Sequence, residues 1–258
     1  MAMALLDIQK VSMHFGGLKA IRELDFAVQQ GEIRGLIGPN GAGKTTLFNV
    51  ISGIYLPTRG RFFFQGQDIT RLRPHGTAKL GIIRTFQAIT LFKHFSVLRN
   101  VMVGCHLHSH YSFFGSLLGT PNSLRHEREN EARSMEILEF MGLARYKDEL
   151  AMNLPHGHQR ALGISIALAG QPSLLMLDEP VTGMNPEESA AMMKLIQKIR
   201  DRGITILLIE HDMKVVMGIC ERITVLNFGE KIAEGTPEEI RKDPDVHEAY
   251  LGGEHYVA

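Results

Sequence analysis

Apolar residues follow two rhythms along this chain. Residues 5–9 and 24–28 alternate apolar with polar, as half-buried strands do. Ile33–Ile37, Leu174–Leu177 and Ile204–Ile209 read instead as buried strands of a parallel sheet covered on both faces. Helical stretches follow several of these strands: Thr45–Ser52, a long one over 187–201, and one beginning near Pro237. Gly60–Gly66 is a short aromatic strand between glycines, and Ile223–Asn227 with Lys231–Gly235 predicts a closing β pair.

The middle of the chain differs. Ser96 caps a predicted helix that runs on from Val97. Residues 105–125 are rich in His, Ser, Gly and aromatics and read as an irregular insertion. Residues 126–142 carry charge and then a late apolar stripe, an amphipathic helix ended by Gly142. The pattern predicts one domain over 1–258. Residues 1–86 and 156–258 form an α/β core, 87–155 a helical subdomain inserted into it, and 237–258 a C-terminal tail.

Composition narrows the setting. The 28 basic and 28 acidic residues cancel, so no overall positive field argues for nucleic acid. Two distant cysteines imply no disulfide framework and suit a reducing compartment. No apolar run approaches membrane-spanning length, and the N-terminus is too short and too soon charged for a signal peptide. The expectation is a soluble intracellular chain, held at a membrane only through a partner.

The densest chemistry lies between the Ile33–Ile37 strand and the helix after it. Gly38-Pro39-Asn40-Gly41-Ala42-Gly43-Lys44-Thr45-Thr46 is a complete Gly-x-x-x-x-Gly-Lys-Thr loop. Its glycines let the backbone wrap phosphate oxygens, and its N–H groups form a nest at a helix N-terminus. Lys44 is placed to reach β and γ phosphates, and the Thr45 hydroxyl to ligate Mg²⁺. The Leu174–Leu177 strand ends in Asp178 and Glu179. Asp178 suits the Mg²⁺ shell, and Glu179 can polarise a water for attack on the γ phosphate. His211 follows another buried strand and can contact that phosphate or the water. Pro155 and Gly157 open a long small-residue helix, a second anion site. One triphosphate does not need two such sites, so the second is expected to serve a nucleotide held by another subunit.

These motifs in this order resemble the ATP-binding subunits of ABC transporters over nearly the whole chain. The resemblance implies a P-loop NTPase core of mostly parallel sheet with an antiparallel β subdomain and an inserted helical subdomain. It implies an ATPase that uses ATP and Mg²⁺, with Glu179 as base, His211 as switch histidine and Gln87 as a Mg²⁺-sensing residue that meets the membrane subunit. Residues 154–160 match the signature motif, and Gly183-Met-Asn185-Pro186 the D-loop. Where that family usually reads Leu-Ser-Gly-Gly-Gln, this chain has Pro155, His156 and His158 at the Ser, first Gly and Gln places. Pro155 has no hydroxyl to give, which leaves the Gly157 N–H, with His158 as the compensating donor. Phe15 stands where the family stacks adenine, although a core residue at a strand end reads the same way.

The finer resemblance is to ATPases of branched-chain amino-acid importers. It rests on Phe15–Ala20, Arg84–Phe92, Ile209–Gly218 and the tail from Gly235 to Gly252. The partners it implies are permease subunits, a second ABC ATPase and, indirectly, a substrate-binding protein, with the chain peripheral on the cytoplasmic face of the inner membrane. Urea or short-amide import, lipopolysaccharide export and non-transport ABC ATPases are the alternatives. Cys105, His106, His108 and His110 form a possible metal cluster but read more simply as a solvated loop. The apolar stretch Ile89–Val103 reads as part core and part groove for a membrane subunit's helix.

Overall fold

The computed structural model describes residues 4–85, 91–108 and 121–251. The chain runs through β1 (Leu6–Phe15), β2 (Leu18–Val28), β3 (Ile33–Ile37), α1 (Lys44–Ile51), β4 (Arg59–Phe64), β5 (Gln67–Asp68), α2 (Pro74–Lys79) and β6 (Ile82–Arg84). Then come α3 (Val97–Cys105), α4 (Pro121–Phe140), α5 (His156–Ala169), β7 (Leu174–Asp178) and α6 (Pro186–Asp201). Last are β8 (Thr205–Ile209), α7 (Met213–Ile219), β9 (Arg222–Asn227), β10 (Glu230–Gly235), α8 (Pro237–Lys242) and α9 (Pro244–Leu251). Two compact units result. One holds Met1–Arg84, Ser173–Glu179 and Met193–Ala258, the other Thr85–Pro172 and Pro180–Met192.

The first unit contains both sheets. An antiparallel sheet has the order β2-β1-β4-β5. A second sheet has the order β10-β9-β3-β8-β7-β6, parallel from β9 through β6 and antiparallel only at the β10–β9 edge. Every residue of β3, β7 and β8 is buried, which is why these strands read as continuous apolar runs. β1 and β2 run longer than their alternating stretches because register shifts at Ile8/Val11, Val11/Met13 and Met13/His14 break the two-residue period. Leu47 and Phe48 of α1 are fully buried in the core cluster. At about 2–3 kcal/mol each, they fix the helix that carries the phosphate loop.

The second unit is helical, with α3 packed on α4 and α5. Ser96 caps α3 as expected, accepting from the Arg99 N–H. α4 begins at Pro121, earlier than its apolar stripe suggested, and the chain leaves it through Gly142 in the left-handed region. Val97 and Val101 are core residues, whereas Phe92 and Phe95 are exposed and stack on each other at 5.2 Å. Cys105 is buried, its Sγ 3.6 Å from the Ser134 hydroxyl. Among the described residues, no cluster of three His, Cys, Asp or Glu could hold a metal, and no helix is long and apolar enough to cross a membrane. Gln87, His110 and the insertion residues 109–120 lie outside the described residues.

Candidate nucleotide site

β3 lies between β8 and β9 in the middle of its sheet and delivers the chain into the glycine loop. Gly38 has φ 149°, and a Cβ there would sit 2.1 Å from the Leu226 carbonyl oxygen. Gly43, the N-cap of α1, has φ 104°, and a Cβ would meet the Ala20 carbonyl at 2.6 Å. Both positions therefore demand glycine twice, by conformation and by space. The Gly229 N–H donates to the Ala42 carbonyl at 3.0 Å, so the β9–β10 turn braces the loop from behind. No side chain caps α1, which leaves its first N–H groups for an anion.

Lys44 Nζ donates to the carbonyls of Gly38 at 2.5 Å and Pro39 at 2.9 Å. The ammonium thus arches over its own loop. Burial lowers its pKa from the usual lysine value, and the negative fields of Glu179 and Asp178 oppose that shift. Both acids are therefore electrostatic neighbours of the loop lysine.

The strand order explains this. β3, β8, β7 and β6 are consecutive and parallel, so their C-terminal ends line one edge. Asp178 ends β7 and pairs in register with Ile209. Glu179 follows with φ 48°, its N–H donating to the Ile209 carbonyl at 2.9 Å. His211 comes just past β8, with Nδ1 3.7 Å from Glu179 Oε1. That is charge-pair distance rather than a hydrogen bond. The His211 side chain is 65% exposed and that of Glu179 21%, so solvent reaches the pair. Glu210, buried between them in sequence, accepts from the N–H groups of His211 at 3.1 Å and Asp212 at 3.4 Å and sets this turn.

Three side chains here were not singled out from the sequence. Arg84 donates to Asp178 Oδ2 at 2.7 Å and to Asn49 Oδ1 at 2.6 Å, with its guanidinium 5.3 Å from the centroid of the Phe48 ring. Asn49 and Glu210 are the others. Phe15 is 40% exposed at the end of β1, its ring edge-to-face with Tyr55 at 5.2 Å. That geometry orients the ring at the surface rather than burying it in the core.

The second unit carries the other helix start. Pro155 is the N-cap of α5, just outside the helix, and makes no side-chain cap. The N–H groups of His156, Gly157 and His158 begin the helix beyond the reach of intrahelical carbonyls. The His158 ring meets Tyr146 edge-on at 5.0 Å. His156 lies against Gly183, and the Glu188 carboxylate lies 3.2 Å from where a Gly157 Cβ would be. Glu188 is held by a reciprocal pair with Asn185: the Asn185 N–H donates to Glu188 Oε2 at 3.1 Å, and the Glu188 N–H to Asn185 Oδ1 at 2.9 Å.

A glycine cradle at a helix head, with carboxylates at the neighbouring strand ends, is the architecture of a P-loop nucleotide-binding protein. The profile of the family described as ABC transporter matches residues 21–182, and that described as branched-chain amino acid ATP-binding cassette transporter matches 230–256. The chain belongs to the ABC transporter family. It is 44% identical over 253 residues to the high-affinity branched-chain amino acid transport ATP-binding protein LivG of Escherichia coli, covering 98% of this chain and 99% of that protein. To BraF of Pseudomonas aeruginosa, which carries the same description, it is 42% identical with the same coverage. A crystal structure of a nucleotide-free ATP-binding cassette from an ABC transporter superposes with TM-score 0.84 at 33% identity, covering 96% of this chain and 99% of that one.

Proposed function

We propose that this chain is the ATP-hydrolysing subunit of an importer of branched-chain, hydrophobic amino acids. The observation that carries the reading is the convergence of Lys44, Asp178, Glu179 and His211 on one sheet edge. The cargo rests on the likeness to LivG and BraF and on the matched tail at 230–256.

Phe15 stacks the adenine, and the N–H groups from Gly41 to Thr46 with Lys44 grip the β and γ phosphates. Lys44 must leave its own carbonyls to do so, and a phosphate offers it a charged acceptor in exchange. Glu179 takes the proton of the attacking water as the bond between the γ phosphorus and the bridging oxygen breaks, which gives ADP and phosphate. His211, paired with Glu179, orients that water and contacts the γ phosphate. The donor set suits a hard cation: the Thr45 hydroxyl at the exposed loop rim, the Asp178 carboxylate, which already holds a cationic guanidinium, and Gln87 by its place in the motif. Bound Mg²⁺ would neutralise charge on the β and γ phosphates.

A second ABC ATPase subunit, identical or paralogous, presents its nucleotide to the uncapped start of α5, with the Gly157 N–H and His158 as donors. Pro155 contributes no hydroxyl, so this grip is weaker than a serine would give. The exposed Phe92–Phe95 pair and the segment of Gln87 face permease subunits, through which a substrate-binding protein is engaged indirectly. The chain then sits on the cytoplasmic face of the membrane.

The test is ATP turnover and ATP-dependent self-association of wild type and Glu179→Gln. Turnover by wild type, with a variant that is inactive yet dimerises in ATP, is the expected result. Undiminished turnover in the variant would remove Glu179 from the base role. A variant that stays monomeric at saturating ATP would rule out a homodimer formed by this chain alone.

A further inference from the structure

Asp178 ends a fully buried strand, and an ionised carboxylate there without a counter-charge is costly. Arg84 supplies the counter-charge at 2.7 Å, and both side chains are only 6% exposed. The guanidinium is also fastened to α1, through the Asn49 amide oxygen at 2.6 Å and the face of Phe48. Asn49 is four residues on from Thr45, so both lie on one face of α1. Arg84 therefore bridges the two elements, α1 and the end of β7, whose Thr45 and Asp178 are read above as the metal-holding pair.

We propose that Arg84 is a positioning residue that stands in for the metal cation: it neutralises and aims Asp178 while the site lacks Mg²⁺, and loosens its hold when Mg²⁺ binds beside it. The inference rests on the reading of Asp178 as a metal-holding residue. Its physical basis is charge. Asp178 satisfied by a guanidinium has less attraction left for a second cation, and the guanidinium and a divalent ion repel across one carboxylate. Arg84 thus sets a threshold for Mg²⁺, and it keeps the buried acid ordered without any.

The experiment titrates Mg²⁺ into the full chain carrying a ribose-labelled fluorescent ADP, after a first measurement of ADP affinity in EDTA. With Arg84→Met, the apparent Mg²⁺ constant is expected to tighten about tenfold, because nearly all of the protein then has an unpartnered Asp178. ADP affinity in EDTA is expected to stay the same. Arg84→Lys, which keeps the charge but loses the fork, should fall between. Equal Mg²⁺ constants for folded wild type and Arg84→Met would overturn the proposal, since a purely structural brace changes the melting temperature but not the Mg²⁺ dependence. If Arg84→Met does not fold, Arg84→Lys carries the test alone. A tighter Mg²⁺ constant there supports the proposal, and lower stability with an unchanged constant overturns it. Asp178→Asn separates the two levels. If Asp178→Asn abolishes the Mg²⁺ effect while Arg84→Met leaves it unchanged, only the role of Arg84 fails. If Asp178→Asn binds Mg²⁺ as wild type does, the metal-holding reading fails and takes the Arg84 proposal with it.

Discussion

α1 at Gly43 and α5 at Pro155 both begin without a side-chain cap, and they are built in opposite ways. The start of α1 is enclosed by a loop whose Gly38 and Gly43 leave no room for a side chain, and it carries its own cation in Lys44. The start of α5 is open. Its glycine has ordinary backbone angles, and the group beside it is the carboxylate of Glu188. Both offer orphan N–H groups and the positive end of a dipole. The first is a complete anion site within one unit. At the second, a carboxylate rather than an ammonium stands beside the glycine, and on the function proposed above its ligand is presented from outside.

The largest effect should come from breaking the first site. Lys44→Ala is expected to lower ATP turnover roughly a hundredfold to a thousandfold, because a preorganised cation at the transferring phosphate is lost. Steady-state phosphate release checks this. The same assay on a variant of the second site should show a loss only where turnover requires the dimer.

The next test compares two glycines. Gly38→Ala is expected to destabilise the fold by about 3 kcal/mol, since its Cβ would drive into the Leu226 carbonyl at a left-handed φ. Gly157→Ala meets only the end of a Glu188 side chain, so its cost should stay under about 1 kcal/mol. Urea midpoints read the difference. Similar midpoints would mean that the loop backbone yields more easily than its contacts imply.

The smallest effect sharpens the contrast. Glu188→Gln keeps the pair with Asn185 but removes a negative charge from beside the start of α5. ATP-driven self-association should tighten about twofold to fivefold, the size of one charge at a helix terminus. Sedimentation in ATP at low salt measures it. A weaker dimer in Glu188→Gln would assign that carboxylate a positive role in association.

The first site was largely legible in the sequence because its demands are local. The glycines at 38, 41 and 43, the buried strand before them and the acids ending Leu174–Leu177 all announce themselves within a few residues. The Asp178–Arg84 pair did not, because its members lie 94 positions apart and an arginine after Ile82–Ile83 carries no signal of its partner. Asn49 is hidden for the same reason, inside an ordinary helical repeat. Lys44 was expected to point at phosphate, and the structure shows it satisfied by its own loop, a state that depends on geometry no motif encodes. α2 went unread because six residues around one proline offer too little periodicity. At the second site the helix was legible from Pro155 and Gly157, but the placing of Glu188 beside it depends on a turn some thirty residues later in the chain.

The brace behind the phosphate loop has a consequence for how the protein is made. Gly38 and Ala42 are shaped against Leu226 and Gly229, and nearby Arg22 bonds Glu230 from 208 positions away. A ribosome therefore makes the loop well before the backing that shapes it. Until β9 and β10 emerge, the nascent chain carries the full nucleotide motif without that wall. The order of translation thus separates the making of the motif from the completion of its cradle.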